Sequence, residues 1–136
     1  MLSEEIQHQL IQTINEQLAT DFIILFGSFA NGTEREDSDI DLAYFSKKRL
    51  SSYERFLLAG QLALISGCEV DLVDIKHIDT VFNMQIFANG MPIYMADKNE
   101  FIRQQMRAYS MYVTLNEQRA SIIKSIKERG RVYGDE

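Results

Sequence analysis

Phe22-Ile23-Ile24-Leu25-Phe26-Gly27-Ser28, ten further residues, and then Asp39-Ile40-Asp41-Leu42-Ala43-Tyr44 place an apolar run, a glycine turn and two spaced carboxylates in one short segment. Five apolar residues that stop at a glycine predict a buried strand ending in a tight turn. Gly27 allows positive φ or a close approach of backbone to ligand, and Ser28 is suited to open a short helix whose free N–H groups favour an anion. Gly27-Ser28 is therefore the expected phosphate site.

From Ser38 onward, Ile40, Leu42 and Tyr44 alternate with Asp39, Asp41 and Ala43. A period of two sets both carboxylates on one face of a strand, about 7 Å apart at Cα. Two carboxylates at that spacing repel each other unless a cation lies between them. Oxygen-only ligation beside a phosphate site suits Mg2+, which takes one or two carboxylates together with water and substrate phosphates. Asp37-Ser38-Asp39-Ile40-Asp41 also resembles the start of a calcium loop, but such a loop needs Gly at its sixth position and Glu at its twelfth. Leu42 and Lys48 stand there, which excludes it.

A second carboxylate-bearing strand is expected at Cys68-Glu69-Val70-Asp71-Leu72-Val73-Asp74-Ile75. Asp71 shares a face with Val73 and Ile75, Asp74 falls on the other, and Glu69 shares the face of Asp71. Paired beside Asp39 and Asp41, this strand would make Asp71 the third carboxylate. Asp71 is favoured over Glu69 because it lies inside the apolar run, where an isolated carboxylate is costly without a metal or partner.

Gly-Ser-x10-Asp-x-Asp followed by an apolar-Asp-apolar-apolar strand resembles the DNA polymerase β-like nucleotidyltransferase superfamily. Within it, the chain is similar over roughly residues 1 to 115 to the minimal nucleotidyltransferases (MNT proteins) that pair with HEPN ribonuclease toxins. The resemblance implies an α/β (α+β) fold with a small mixed sheet flanked by helices and a long C-terminal helix. It implies that Gly27, Ser28, Asp39, Asp41 and Asp71 are the matching functional residues, and that ATP is the donor. It further implies transfer of AMP to a tyrosine of a HEPN toxin, which would make the chain an antitoxin of type VII character. Two Mg2+ ions bridged by Asp39 and Asp41, one of them also touching Asp71, are the expected cofactors, with Asp71 as the candidate base. Arg35, the one cation in the loop between Gly27-Ser28 and Asp39, is a candidate triphosphate contact; Glu34, Glu36 and Asp37 are its competing partners.

Size and charge narrow the acceptor. A chain of 136 residues makes one domain, too short for a catalytic domain plus a dedicated acceptor domain, so the acceptor docks on a small surface or comes with a partner. A formal charge of −6 disfavours a nucleic-acid-extending polymerase, because nucleic-acid contacts are dominated by phosphate. The single Cys68 excludes an internal disulfide, and neither His8 nor His77 sits in a zinc-spaced cluster. The start Met-Leu-Ser-Glu-Glu lacks an apolar h-region and no run approaches a membrane span, so a cytoplasmic, reducing setting is expected.

Around this centre the helices follow from their caps. Ser3 opens a helix with Ile6, Leu10, Ile11, Ile14 and Leu18 at helical spacing, expected to cover the sheet beside the site. Ser51 or Ser52 caps a second helix, with Tyr53, Phe56, Leu57, Gly60 and Leu64 as its apolar face and Gly67 as its end. Asp79 caps a third, Asn89-Gly90 ends it, and Met91 to Met95 is extended. Asp97 starts a helix expected over 97–129, followed by a frayed tail over 130–136. Its isoleucines, Ile122, Ile123 and Ile126, suggest a partner helix, self-association or terminal packing. Two other functions remain open: a nucleotidyltransferase acting on a small-molecule hydroxyl, and a non-catalytic antitoxin that masks a toxin by covering it.

Overall fold

The computed structural model describes residues 2–134. Helix α1 (Glu4–Leu18) leads into strand β1 (Phe22–Phe26), the single-turn helix α2 (Ser28–Asn31) and strand β2 (Ile40–Phe45). Helix α3 (Ser52–Ser66) connects to strand β3 (Val70–Asp74), and α4 (Thr80–Asn89), β4 (Met91–Met95) and α5 (Lys98–Gly134) complete the chain. The caps lie where polar residues precede apolar periodicity. Ser3 accepts from the N–H of Ile6, Asp79 from that of Phe82, and Ser51 forms a reciprocal capping box with Glu54.

The four strands form one mixed sheet in the order β3-β2-β1-β4. β1 is antiparallel to both β2 and β4, whereas β2 and β3 are parallel, as a helical crossover through α3 requires. Alternation along the strands separates two faces. Ile23, Leu25, Ile40, Leu42, Tyr44 and Leu72 pack with Leu10, Ile14 and Leu18 of α1 and Leu58 and Leu62 of α3. On the other face Phe22, Ile24, Ala43 and Phe45 pack with Ile86 and Phe87 of α4 and Ala108 of α5. Asp41 has the parity of Ala43 and Phe45, so the stripe of α1 covers the sheet, as expected, on the face opposite the carboxylates.

Two expectations are corrected. In α3 the buried residues are Leu58 and Leu62, while Tyr53, Phe56, Leu57 and Leu64 stand exposed. The helix is apolar on both sides, so periodicity alone did not tell its inner face from its outer one. The last helix, expected over 97–129, continues to Gly134; residues 130–134 of the expected tail are helical, and 135 and 136 lie outside the described residues. At about 1.5 Å per residue α5 runs some ~55 Å. Ile122, Ile123 and Ile126 on it are exposed. Among the described residues no helix is long and apolar enough to cross a membrane.

Gly90 ends α4 for want of space, not for a special dihedral. Its φ is −78°, but a Cβ there would lie 2.5 Å from Cγ2 of Ile24 and 2.5 Å from the carbonyl oxygen of Ile86. Because one of those atoms is backbone, Gly90→Ala is expected to destabilise the fold by about 1–3 kcal/mol, through overpacking between α4 and β1. Urea unfolding checks this; an unchanged midpoint contradicts the packing.

Candidate active site

The strand register brings the carboxylates together. Asp41 is aligned with Asp71 across the parallel β2–β3 pair and with Phe26 across β1–β2. Neighbouring strands lie about 4.8 Å apart, so Asp41 and Asp71 are side by side on one face. Asp39 immediately precedes β2, with the parity of Asp41. Asp39 and Asp71 are exposed and Asp41 is half-buried.

Gly27 lies against this group. Its φ of 74° and ψ of −155° fall in a region essentially restricted to glycine. A Cβ built on it would approach Oδ2 of Asp41 to 2.2 Å. The missing side chain therefore lets the Asp41 carboxylate pack directly against the Gly27 backbone, a position that any Cβ would contest. α2 starts directly after it, with the N–H groups of Ala30 and Asn31 returning to the carbonyl of Gly27. As at every helix start, the first N–H groups, here those of Ser28 and Phe29, have no intrahelical acceptor.

The electrostatics follow from the crowding. Burial, then the charges of Asp71 and Asp39, push the Asp41 carboxyl up to about 6. Among the described residues no three Asp, Glu, His or Cys side chains gather closely enough to hold an ion by themselves. Mg2+ is ordinarily bound through one or two carboxylates plus substrate phosphates rather than in an all-protein cage. The donor set, all oxygen, mutually repelling and packed against the Gly27 turn, fits a divalent cation bound together with a triphosphate.

A pH dependence follows. The folded value for Asp41 lies above its ordinary 3.8, so its contribution to stability is full below that value and is lost as pH rises through about 6. The metal-free chain at neutral pH therefore carries a destabilising charge, on the order of 1 kcal/mol after solvent screening. Mg2+ is expected to raise the thermal midpoint at about pH 7.5 and far less at about pH 5, where Asp41 is protonated. An equal rise at both pH values contradicts the coupling.

The other candidates are separated by position. Glu69 is exposed ahead of β3, where its carbonyl accepts from the N–H of Ile40, and it is not among the charges acting on Asp41. Asp74 is 2% exposed, pairs in register with Tyr44, and accepts from the N–H of Lys76 through Oδ1. It is a buried cap; Nε2 of the exposed His77 lies 3.9 Å from it. Arg35 is exposed in the loop after α2, which is tied by its N–H donating to Oγ of Ser38 at 2.7 Å. Sequence reasoning missed Arg55, which lines the same grooves as Asp71. It also missed Phe82, which packs edge-on against Phe26 at 5.6 Å beside the Gly27 turn. Neither carries a local signal, since each reaches the site only through tertiary packing.

A family model described as Polymerase beta, Nucleotidyltransferase matches residues 8–99. The chain belongs to this nucleotidyltransferase family. Among curated proteins it is 29% identical over 121 residues to the Protein adenylyltransferase MntA of Shewanella oneidensis, covering 88% of this chain and 86% of that protein. Among solved structures, a toxin–antitoxin crystal structure with AMP-PNP matches with a TM-score of 0.80 at 29% identity, covering 88% of this chain and 97% of that one. A tri-AMPylated Shewanella oneidensis HEPN toxin in complex with MNT antitoxin matches with a TM-score of 0.75 at 26% identity, over 90% and 97% of the two chains. The four-stranded mixed sheet with its flanking helices and long α5 is the polymerase β-like nucleotidyltransferase fold expected from the sequence.

Proposed function

We propose that this nucleotidyltransferase is a Mg2+-dependent protein adenylyltransferase that transfers AMP from ATP to a tyrosine hydroxyl of a cognate HEPN-family ribonuclease toxin. Its role is that of an antitoxin working in the cytoplasm, where ATP is available. The observation that carries the reading is the close packing of the Gly27 turn on the Asp41 carboxylate, with Asp71 in register beside it. Similarity to MntA along most of the chain supports a protein acceptor, as does the match to toxin–antitoxin complexes.

Asp39, Asp41 and Asp71 would hold two Mg2+ ions, whose chemistry when bound is to neutralise the triphosphate and to lower the pKa of the acceptor hydroxyl. The chain's own residues do the rest. The backbone N–H groups of Ser28 and Phe29, brought close by Gly27, bind phosphate oxygens, and Arg35 reaches the same triphosphate from its loop. Asp39 and Asp41, which as carboxylates repel phosphate on their own, would orient it through the cations they hold. The acceptor oxygen bonds to the α-phosphorus as the bond from that phosphorus to pyrophosphate breaks. The hydroxyl proton passes to the exposed carboxylate of Asp71 and then to solvent.

Isotope placement tests this reaction. With a cognate HEPN-family protein as acceptor, label from the α-phosphorus of ATP is expected to stay on that protein and label from the γ-phosphorus to leave as pyrophosphate. Retention of γ-label would mean phosphorylation and would overturn the reading.

A further inference from the structure

We propose that the outward face of α3 is the docking surface for the protein acceptor, and that an apolar helix of that acceptor crosses α3 over Gly60. The inference rests on the reading that the acceptor is a protein, and it adds where that protein sits.

Tyr53, Phe56, Leu57 and Leu64 are 69%, 73%, 47% and 88% exposed. At 100° per residue they fall, with Gly60, within about 100° of arc, a single helical stripe. A helix in a lone domain hides its apolar stripe, yet α3 already buries Leu58 and Leu62 on its opposite side. The outer stripe is therefore a second apolar face, of the kind that marks a contact with another chain.

Gly60 is the second, independent observation. Glycine inside a helix lowers its stability, and it is retained where backbone conformation or close packing needs it. Neither applies within this chain. Gly60 lies in mid-helix without positive φ, and a Cβ there would meet nothing within 4 Å. Flanked by Leu57 and Leu64, it leaves a flat place in the stripe where a crossing helix can approach the backbone closely.

The stripe also reaches the site. Phe56 lines a groove with Ser52, Arg55, Ala59 and Asp71, and the groove continues along the unpaired edge of β3 past Arg55 and Asp71 to Phe82. An acceptor seated on α3 thus has a path for its hydroxyl-bearing segment to the proposed base. The isoleucine stripe of α5 has no such link; the groove at Ile123 is lined by Ala120, Lys124, Lys127 and Glu128, none of them a site residue.

Affinity for a cognate HEPN-family protein tests the surface, measured calorimetrically in an Asp41→Asn background so that no transfer alters the partner. Phe56→Glu and Leu64→Glu are each expected to weaken the complex at least tenfold while leaving the thermal midpoint of the free chain nearly unchanged. Gly60→Leu is expected to raise that midpoint and still weaken the complex at least tenfold, a pairing of signs that a merely structural role would not give. Ile123→Glu is expected to bind as the parent does. Unchanged affinity in the three α3 variants, loss in Ile123→Glu alone, or no complex with the parent would overturn the proposal. So would a free chain that is a dimer and dissociates with Leu64→Glu, since the occupant would then be a second copy. A wild-type chain that binds but transfers no AMP refutes the reaction, while these same affinities still decide the surface.

Discussion

Asp41→Asn is expected to lower AMP transfer by about a thousandfold or more and, in the metal-free state at neutral pH, to leave the chain at least as stable as the wild type. On the proposed mechanism Asp41 helps hold the cations that position the reacting phosphate, so its loss would remove several kcal/mol of transition-state stabilisation, and each 1.36 kcal/mol is about tenfold in rate. The stability arm has the opposite sign because Asp41 is charged against its surroundings. Burial and the neighbouring Asp71 and Asp39 already push its carboxyl up to about 6. A neutral amide removes that repulsion, so the metal-free midpoint stays level or rises. The pair of effects separates a catalytic carboxylate from a structural one. Asp74, buried and capping the turn that follows β3, is the comparison: Asp74→Ala removes the acceptor of the Lys76 N–H and is expected to lower the metal-free midpoint. Steady-state transfer together with thermal unfolding at about pH 7.5 reads both arms. An Asp41→Asn chain that unfolds early, or that turns over normally, contradicts the assignment.

Gly27→Ala is expected to cut transfer by about a hundredfold or more and to destabilise the chain by about 1–3 kcal/mol. Two effects act there. The backbone, at φ 74° and ψ −155°, is one that alanine adopts only under strain. The added methyl would fall 2.2 Å from Oδ2 of Asp41. A carboxylate is mobile enough to swing aside, so the clash itself spares the fold, but the swing takes Asp41 out of the place where phosphate and cation meet. Gly32 is the internal control. It also has positive φ, at 70°, but with ψ 22° it lies in the left-handed helical region and has open space around it. Gly32→Asn is therefore expected to be nearly silent, because asparagine visits that region readily. Denaturant unfolding and transfer rates of the two variants check the contrast; equal losses in both would show that positive φ alone, rather than the approach to Asp41, sets the effect.

The grouping of Gly27 with Asp39 and Asp41 was legible in the sequence because these parts are local. An apolar run stopped by Gly27 can do little but turn, and period two in Asp39-Ile40-Asp41 fixes a shared face before any pairing is known. The choice of Asp71 over Glu69 rested on burial cost, and that reason fails, because Asp71 is exposed on an edge strand; it is the β2–β3 register that aligns Asp71 with Asp41 and leaves Glu69 ahead of the strand. What was not legible depends on which side of an element meets the sheet. α3 carries apolar residues around most of its circumference, so its pattern did not choose between Leu58 with Leu62 and Tyr53 with Leu64. α1 has one clear stripe, yet its sequence does not say that the stripe lies across the sheet from the carboxylates. The short segment Met91–Met95 reads only as extended, and its place beside β1 comes from long-range pairing.

The most direct measurement is intact mass spectrometry of a cognate HEPN-family protein, after incubation with ATP and Mg2+ and either the wild-type chain or the Asp39→Asn/Asp41→Asn variant. Increments of one or more AMP, mapped by fragmentation to a tyrosine and absent with the variant, are the predicted result. An unmodified protein that nevertheless binds the wild-type chain and loses its ribonuclease activity would contradict the reaction, and would leave the carboxylates to nucleotide binding and the chain to masking.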